Sequence, residues 1–105
     1  MSAVFIYVTV PQEQSARELA EAVVADRLAA CANIIPGMRS IYHWEGKIEQ
    51  GEETVVIFKT RATLFPAVEA RVKELHEYAT PCIVSLPVEQ GHKPYMDWIM
   101  EETKP

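Results

Sequence analysis

One long β-hairpin in the middle of the chain restricts the possible folds more than any other feature. Two segments rich in strand-forming residues, Cys31 to Trp44 and Lys47 to Thr60, are separated by Glu45-Gly46, a suitable two-residue turn. Pro36-Gly37 predicts a bend or bulge in the first segment, because proline cannot donate to a ladder and glycine relaxes backbone limits. Gln50-Gly51 predicts a second bulge, in the other strand.

A strand and a helix precede the hairpin. Val4 to Val10 is a continuous apolar run rich in β-branched and aromatic side chains, which is typical of a strand covered on both faces. Ser15 and Glu18 match the S-x-x-E capping box that opens many helices. Apolar residues then recur at steps of three and four, so the sequence predicts a helix over about residues 14–30.

Two helices and a strand follow the hairpin. Apolar residues at helical spacing predict a helix over 64–77, with Thr63 as its N-cap. Pro81 to Val88 is strand-like, and Pro87 within it favours a position at the edge of a sheet. His92 to Thr103 predicts a short C-terminal helix.

The predicted order is therefore β-α-β-β-α-β with a tail helix. This is the pattern of an α+β, ferredoxin-like split βαβ sandwich, in which two helices cover one face of a four-stranded antiparallel sheet. The chain has 105 residues, the size of a single domain, which we place at 1–105.

The net charge of the chain argues against two classes of partner. The formal net charge is −5, which argues against a nucleic-acid binder held by phosphate contacts and against a polybasic membrane anchor. The apolar run near the N-terminus is too short to span a bilayer and lacks a basic segment before it. We expect a cytoplasmic protein with neither nucleic-acid nor membrane partners.

No motif supports catalysis. The glycines form no phosphate-binding loop, and no G-x-S-x-G sequence is present. Cys31 and Cys82 lie far apart in apolar surroundings and are interpreted as buried free thiols. We therefore predict a protein that is not an enzyme, has no catalytic residue and requires no cofactor.

Four segments carry a resemblance to a known family. They are RLAACANIIPG (27–37), SIYHWEGKIEQ (40–50), KT (59–60) and LPVEQGHKPYMDWI (86–99). Together they make the chain similar to the CutA family, the divalent-cation tolerance proteins, over nearly its whole length.

The resemblance implies a ferredoxin-like subunit assembled as a homotrimer, in which long hairpins pair strands between subunits. It also implies a role in the tolerance of copper and other divalent metals. The residues favour such an assembly as well, because a long hairpin leaves an edge that proteins normally cover. Tyr42 and Trp44 on that hairpin would be costly to leave in water.

Some bacterial members of the family carry a first-strand cysteine and paired histidines as proposed copper ligands. The matching positions here are Val8, Leu75 and His76, and Glu77 replaces the proline that follows. One candidate ligand of three remains. We therefore predict that His76 is the single candidate metal residue and that copper, or another divalent ion, binds weakly.

Five residues are candidates for a cleft between subunits: Lys59, His76, Glu89, Tyr95 and Trp98. Lys59 would attract an anion, His76 would be a titratable donor, and the two rings would form an apolar wall. Lys59 ends the third strand and His76 closes the second helix. The topology therefore predicts that these two lie apart in one subunit and meet only across a subunit pair.

Three functional hypotheses remain open. The first is a CutA-like homotrimer that acts in the response to metal ions by binding a small ligand or a protein partner. The second is a small-molecule sensor or enzyme with a site in the clefts between subunits. The third is a structural trimer that scaffolds a partner protein.

Overall fold

The second strand of the hairpin, β3 (Lys47–Arg61), lies near the centre of a four-stranded antiparallel sheet. It is flanked by β2 (Cys31–Trp44) and β1 (Ala3–Val10), and β4 (Ile83–Pro87) follows β1 at the other edge. The computed structural model describes residues 2–104. The first and last residues of the predicted 1–105 domain lie outside this range. The elements are β1 (Ala3–Val10), α1 (Glu13–Ala25), β2 (Cys31–Trp44), β3 (Lys47–Arg61), a 3₁₀ turn (Ala62–Leu64), α2 (Phe65–Leu75), β4 (Ile83–Pro87) and α3 (Lys93–Glu102). The predicted α+β class and element order are confirmed.

The hairpin turn and one of the two predicted bulges are confirmed. Glu45 and Gly46 both have positive φ angles, 50° and 79°, as a tight two-residue hairpin turn requires. The register between β2 and β3 shifts at Pro36-Gly37 and nowhere else in the pairing. The predicted bulge at Gln50-Gly51 is wrong, because both residues pair regularly with Ile41 and Ser40.

The first helix is shorter than predicted. It ends at Ala25, and Arg27 then adopts a left-handed φ of 61°. The Leu28 N–H donates to the Val23 carbonyl and the Arg27 N–H to the Val24 carbonyl, the pair of bonds that closes a helix in a Schellman motif. The prediction of residue 30 as the end was wrong, since the left-handed residue is an arginine rather than the usual glycine.

The two predicted N-caps are also wrong. Gln12 precedes α1 and makes no side-chain cap, while the Ser15 hydroxyl donates to Glu77 at 2.7 Å. Thr63 lies inside the 3₁₀ turn, and α2 begins after Leu64.

The apolar core lies between the sheet and helices α1 and α2. Alternate residues of β1 and β3 face these helices, as the period of a strand requires. The buried core residues include Val4, Ile6, Val8, Val10, Ala16, Leu19, Ala20, Val23, Val56, Phe58, Val68 and Val72. β4 lies at the edge of the sheet, as Pro87 predicts.

The tail helix α3 packs against the opposite face of the sheet. Lys59 and Arg61 point to that face because their neighbours Phe58 and Thr60 point to the core. The Arg61 Nε donates to the Thr103 hydroxyl at 3.1 Å, and a second guanidinium nitrogen donates to the Met100 carbonyl. Thr103 is fully buried and donates to the Ile99 carbonyl at 2.7 Å.

We expect Thr103→Val to lower the free energy of unfolding by about 1–3 kcal/mol, because it removes the oxygen that Arg61 and Ile99 share. Thr103→Ser keeps that oxygen and should cost clearly less. Urea unfolding of both variants measures the difference. Equal losses would mean that packing of the methyl group, and not the hydrogen bonds, holds α3.

Candidate functional site

Lys59 lies at the centre of a small polar and aromatic cluster on the face of the sheet that α3 covers. Its Nζ donates to the Tyr95 hydroxyl at 3.0 Å. The same ammonium lies 5.0 Å from the centre of the Phe5 ring and 5.3 Å from that of Tyr95, within cation–π range. Among residues 2–104, no carboxylate lies within ion-pair distance of Lys59.

Two further side chains complete this group. Trp98 follows Tyr95 by one helical turn, and their ring centres are 5.6 Å apart with a tilt of 34°. Both rings are partly open to solvent, at 38% and 40% exposure. The Cys31 thiol lies 3.8 Å from the Tyr95 hydroxyl. We refer to Cys31, Lys59, Tyr95 and Trp98 as the Lys59 cluster.

The structure thus brings together three of the predicted cleft residues and adds one that sequence reasoning missed. Cys31 was interpreted as a buried thiol, but it is only half-buried, and Cys82 is exposed. The feature that could have placed Cys31 in this group is the register of the hairpin, which pairs Cys31 with Lys59 across β2 and β3. Glu89 lies exposed in the connection between β4 and α3.

His76 lies elsewhere, just after α2, and both of its ring nitrogens bind the backbone. Nε2 is 2.6 Å from the Thr9 carbonyl oxygen, and the Tyr78 N–H donates to Nδ1 at 3.0 Å. A carbonyl only accepts, so the assigned tautomer carries its proton on Nε2 and its lone pair on Nδ1. A metal ion could reach that lone pair only if the bond from Tyr78 broke.

Glu53 binds the same segment. One of its carboxylate oxygens accepts from the Tyr78 hydroxyl at 3.2 Å, and the other accepts from Ser40 at 2.7 Å. Burial, reinforced by the negative charge of Glu53, raises the pKa of Tyr78 to about 12. Partial desolvation of its sulfur and the same carboxylate also raise the pKa of the Cys82 thiol, although the residue as a whole is exposed.

Lys59 and His76 occupy different ends of the sheet in one chain. Lys59 pairs with Phe5, whereas His76 contacts Thr9, four residues further along β1. At about 3.3 Å per residue this separates their contact points by roughly 13 Å. Within one chain the two residues therefore contact β1 at separate points, and the predicted meeting of Lys59 and His76 across a subunit pair stays a prediction.

The copper positions that the resemblance implies do not form a ligand set here. Val8 is fully buried in the core, Leu75 offers no donor atom, and both nitrogens of His76 are engaged. Within residues 2–104, no group of three or more His, Cys, Asp or Glu side chains could hold a metal ion. These residues do not fit a tightly held copper ion.

The sequence matches one protein-family model over nearly its whole length. Residues 4–102 match the model of the family described as CutA1 divalent ion tolerance protein. The chain belongs to the CutA1 family. Its helices, within the described residues, include none long and apolar enough to cross a membrane.

Curated CutA relatives match over nearly all of this chain. The divalent-cation tolerance protein CutA of Thermus thermophilus is 46% identical over 98 residues, which cover 93% of this chain and 95% of that protein. Protein CutA of Mus musculus is also 46% identical, but the match covers only 55% of its length. The chain thus spans nearly the whole bacterial protein and about half of the mammalian one.

Solved CutA structures have the same fold. The Thermus thermophilus protein superposes with a TM-score of 0.94 at 44% identity, covering 97% of this chain and 99% of that one. CutA1 of Oryza sativa gives 0.96 at 38% identity, covering 99% and 95%. The family is named for divalent-cation tolerance and not for a reaction.

The raised pKa of Tyr78 predicts how the stability of the folded chain changes at alkaline pH. The folded chain holds this proton more tightly than the unfolded chain, whose tyrosine titrates near 10.0. The stabilisation is therefore complete below pH 10 and is lost as the pH rises from about 10 to about 12.

We expect Glu53→Gln to lower the pKa of Tyr78, because it removes the carboxylate charge beside the phenol. Absorbance titration of tyrosinate measures this, with Tyr78→Phe identifying the signal. Glu52→Gln is the matched control, since that neighbouring carboxylate projects from the opposite face of β3. An equal shift in both variants would contradict a direct effect of Glu53.

Proposed function

We propose that this chain forms a homotrimer that serves divalent-cation tolerance by binding a small ligand or a partner protein, and not by catalysis. The family assignment supports the metal-related role. The observation that supports the assembly is the outer half of the β2-β3 hairpin, whose apolar side chains have nothing to cover them within one chain.

The outer half of the hairpin is a ribbon of only two strands. β1 pairs with β3 from Thr54 to Arg61, so residues 38–53 extend beyond the other strands. Ile41, Ile48 and Trp44 on this ribbon are 72%, 69% and 61% exposed. An isolated two-stranded ribbon is marginally stable in water, and exposed large apolar groups favour association. A second and third copy of the chain would cover them.

The two edges of the sheet favour a ring. β2 and β4 are the edge strands, and each leaves backbone donors and acceptors unpaired on its outer side. Pairing β2 of one subunit with β4 of the next would join two different surfaces, which is a head-to-tail contact. Such contacts close into a ring only with three or more subunits, and three is the number that the family resemblance implies.

We further propose that the protein acts in the cytoplasm. Its net charge of −5 supports a role without nucleic-acid or membrane partners. The CutA of Archaeoglobus fulgidus is described as periplasmic, which is a statement about that protein. The scarcity of metal donors around His76 supports a role that does not depend on one tightly held copper ion.

Sedimentation equilibrium should give three times the chain mass of 11.9 kDa at micromolar concentration. We expect Ile41→Lys to weaken assembly by about tenfold or more, because burying an isoleucine contributes roughly 1.5–3 kcal/mol. Gln14→Lys, an equal change of charge on the exposed face of α1, should leave assembly unchanged. A wild-type monomer would contradict the proposal.

Isothermal titration should show only weak Cu²⁺ binding, because a single imidazole supplies one ligand where stable binding needs several. His76→Ala should reduce it, and so should His43→Ala, which removes an exposed imidazole from the hairpin ribbon, where His43 pairs with Ile48. Stoichiometric submicromolar binding that survives both substitutions would contradict this prediction and would direct attention to Cys31 or Cys82.

A further inference from the structure

We propose that the Lys59 cluster binds a small planar organic anion, one aromatic ring carrying a carboxylate or phosphate group. The oxyanion lies against the Lys59 ammonium and the Tyr95 hydroxyl, and the ring lies against Trp98. This site needs no metal ion, so it stands or fails independently of the metal-related role.

The state of Lys59 is the first reason. An ammonium has three N–H donors, and the one hydrogen bond found for Lys59 is to a neutral phenol. Two other cations beside α3 are neutralised by carboxylates: Arg27 pairs with Glu102 and Lys93 with Asp97, both at 2.8 Å. Lys59 instead keeps its charge against two ring faces, where an anion would meet no competing carboxylate of residues 2–104.

The aromatic wall is the second reason. Tyr95 and Trp98 are each about two-fifths exposed, although rings of this size are normally more buried. Trp98 also lines an open cavity of about 390 Å³ beside Ala30 and the Arg27–Glu102 ion pair, and the Lys59 ammonium lies outside this lining. The cavity adjoins the cluster through Trp98, whose ring packs against that of Tyr95, and the Ala30 N–H donates to the Lys59 backbone carbonyl at 2.8 Å. A single ring fits a cavity of this size.

The chemistry of the lining selects the ligand class. Lys59 and the tyrosine hydroxyl suit one oxyanion group, and a cationic ligand would face the ammonium directly. The sequence has no glycine-rich loop near the cluster that could hold a chain of phosphates. One ring with one anionic group is therefore the ligand that uses Lys59, Tyr95 and Trp98 together.

Tryptophan fluorescence can test this directly. The chain has two tryptophans, so Trp44→Phe leaves Trp98 as the single reporter, and sedimentation equilibrium checks that this background assembles as the wild type does. In this background we expect saturable changes on titration with benzoate or phenyl phosphate, and the stronger of the two identifies the anionic group. Affinity should fall with added salt, because the contact is electrostatic.

Lys59→Met, which keeps most of the length of the side chain without its charge, should weaken binding by about tenfold or more. Tyr95→Phe should weaken it less, and Lys59→Arg should preserve it. Lys93→Met is the matched control, since this exposed lysine at the start of α3 already pairs with Asp97. It should bind as the parent does. Thermal melting checks that each variant is folded.

Three results would overturn the proposal. The first is no saturable binding of either probe at millimolar concentration. The second is equal weakening by Lys59→Met and Lys93→Met, which would indicate general charge attraction. The third is equally strong binding of benzylammonium, which has no anionic group, or of inorganic phosphate, which has no ring.

Discussion

The alternation of side chains along β3 is the constraint on which the rest of the structure depends. Phe58 and Thr60 point into the core beneath α1 and α2, so Lys59 and Arg61 must point to the face that α3 covers. A shift of one residue in the register would bury Lys59 among valines and expose Phe58. Core packing therefore fixes both the anchor of α3 and the position of the Lys59 ammonium.

The same strand also builds the hairpin ribbon. β3 pairs with β1 only over its second half, while its first half has β2 as its single neighbour. The bulge at Pro36-Gly37 lies between these halves, with Gly37 at a positive φ of 78°. A bulge increases the local twist, so the ribbon leaves the sheet without losing its pairing. The ribbon protrudes because β2 and β3 are longer than β1. The sequence itself predicts this difference in strand length.

Periodicity was enough to predict the elements, since it reports which side of each element is apolar. It failed where one residue departed from the usual preference. The end of α1 depends on an arginine in a left-handed conformation, and Ser15 binds Glu77 although its spacing suits a capping box. Contacts between distant segments, such as Cys31 with Tyr95, depend on how α3 docks. No local pattern encodes that docking, so the Lys59 cluster could be predicted only in part.

The copper positions show why the fold and the metal chemistry can be separated. Val8 is fully buried between the sheet and the helices, and a cysteine is of similar size and packs equally well in an apolar core. His76 is held by backbone bonds that stabilise the segment after α2, which gives it a structural role without any metal. Either residue can therefore serve the fold whether or not a metal binds. For that reason the family assignment rests on the matching sequence and fold. The ligand must instead be inferred from the side chains that line each site.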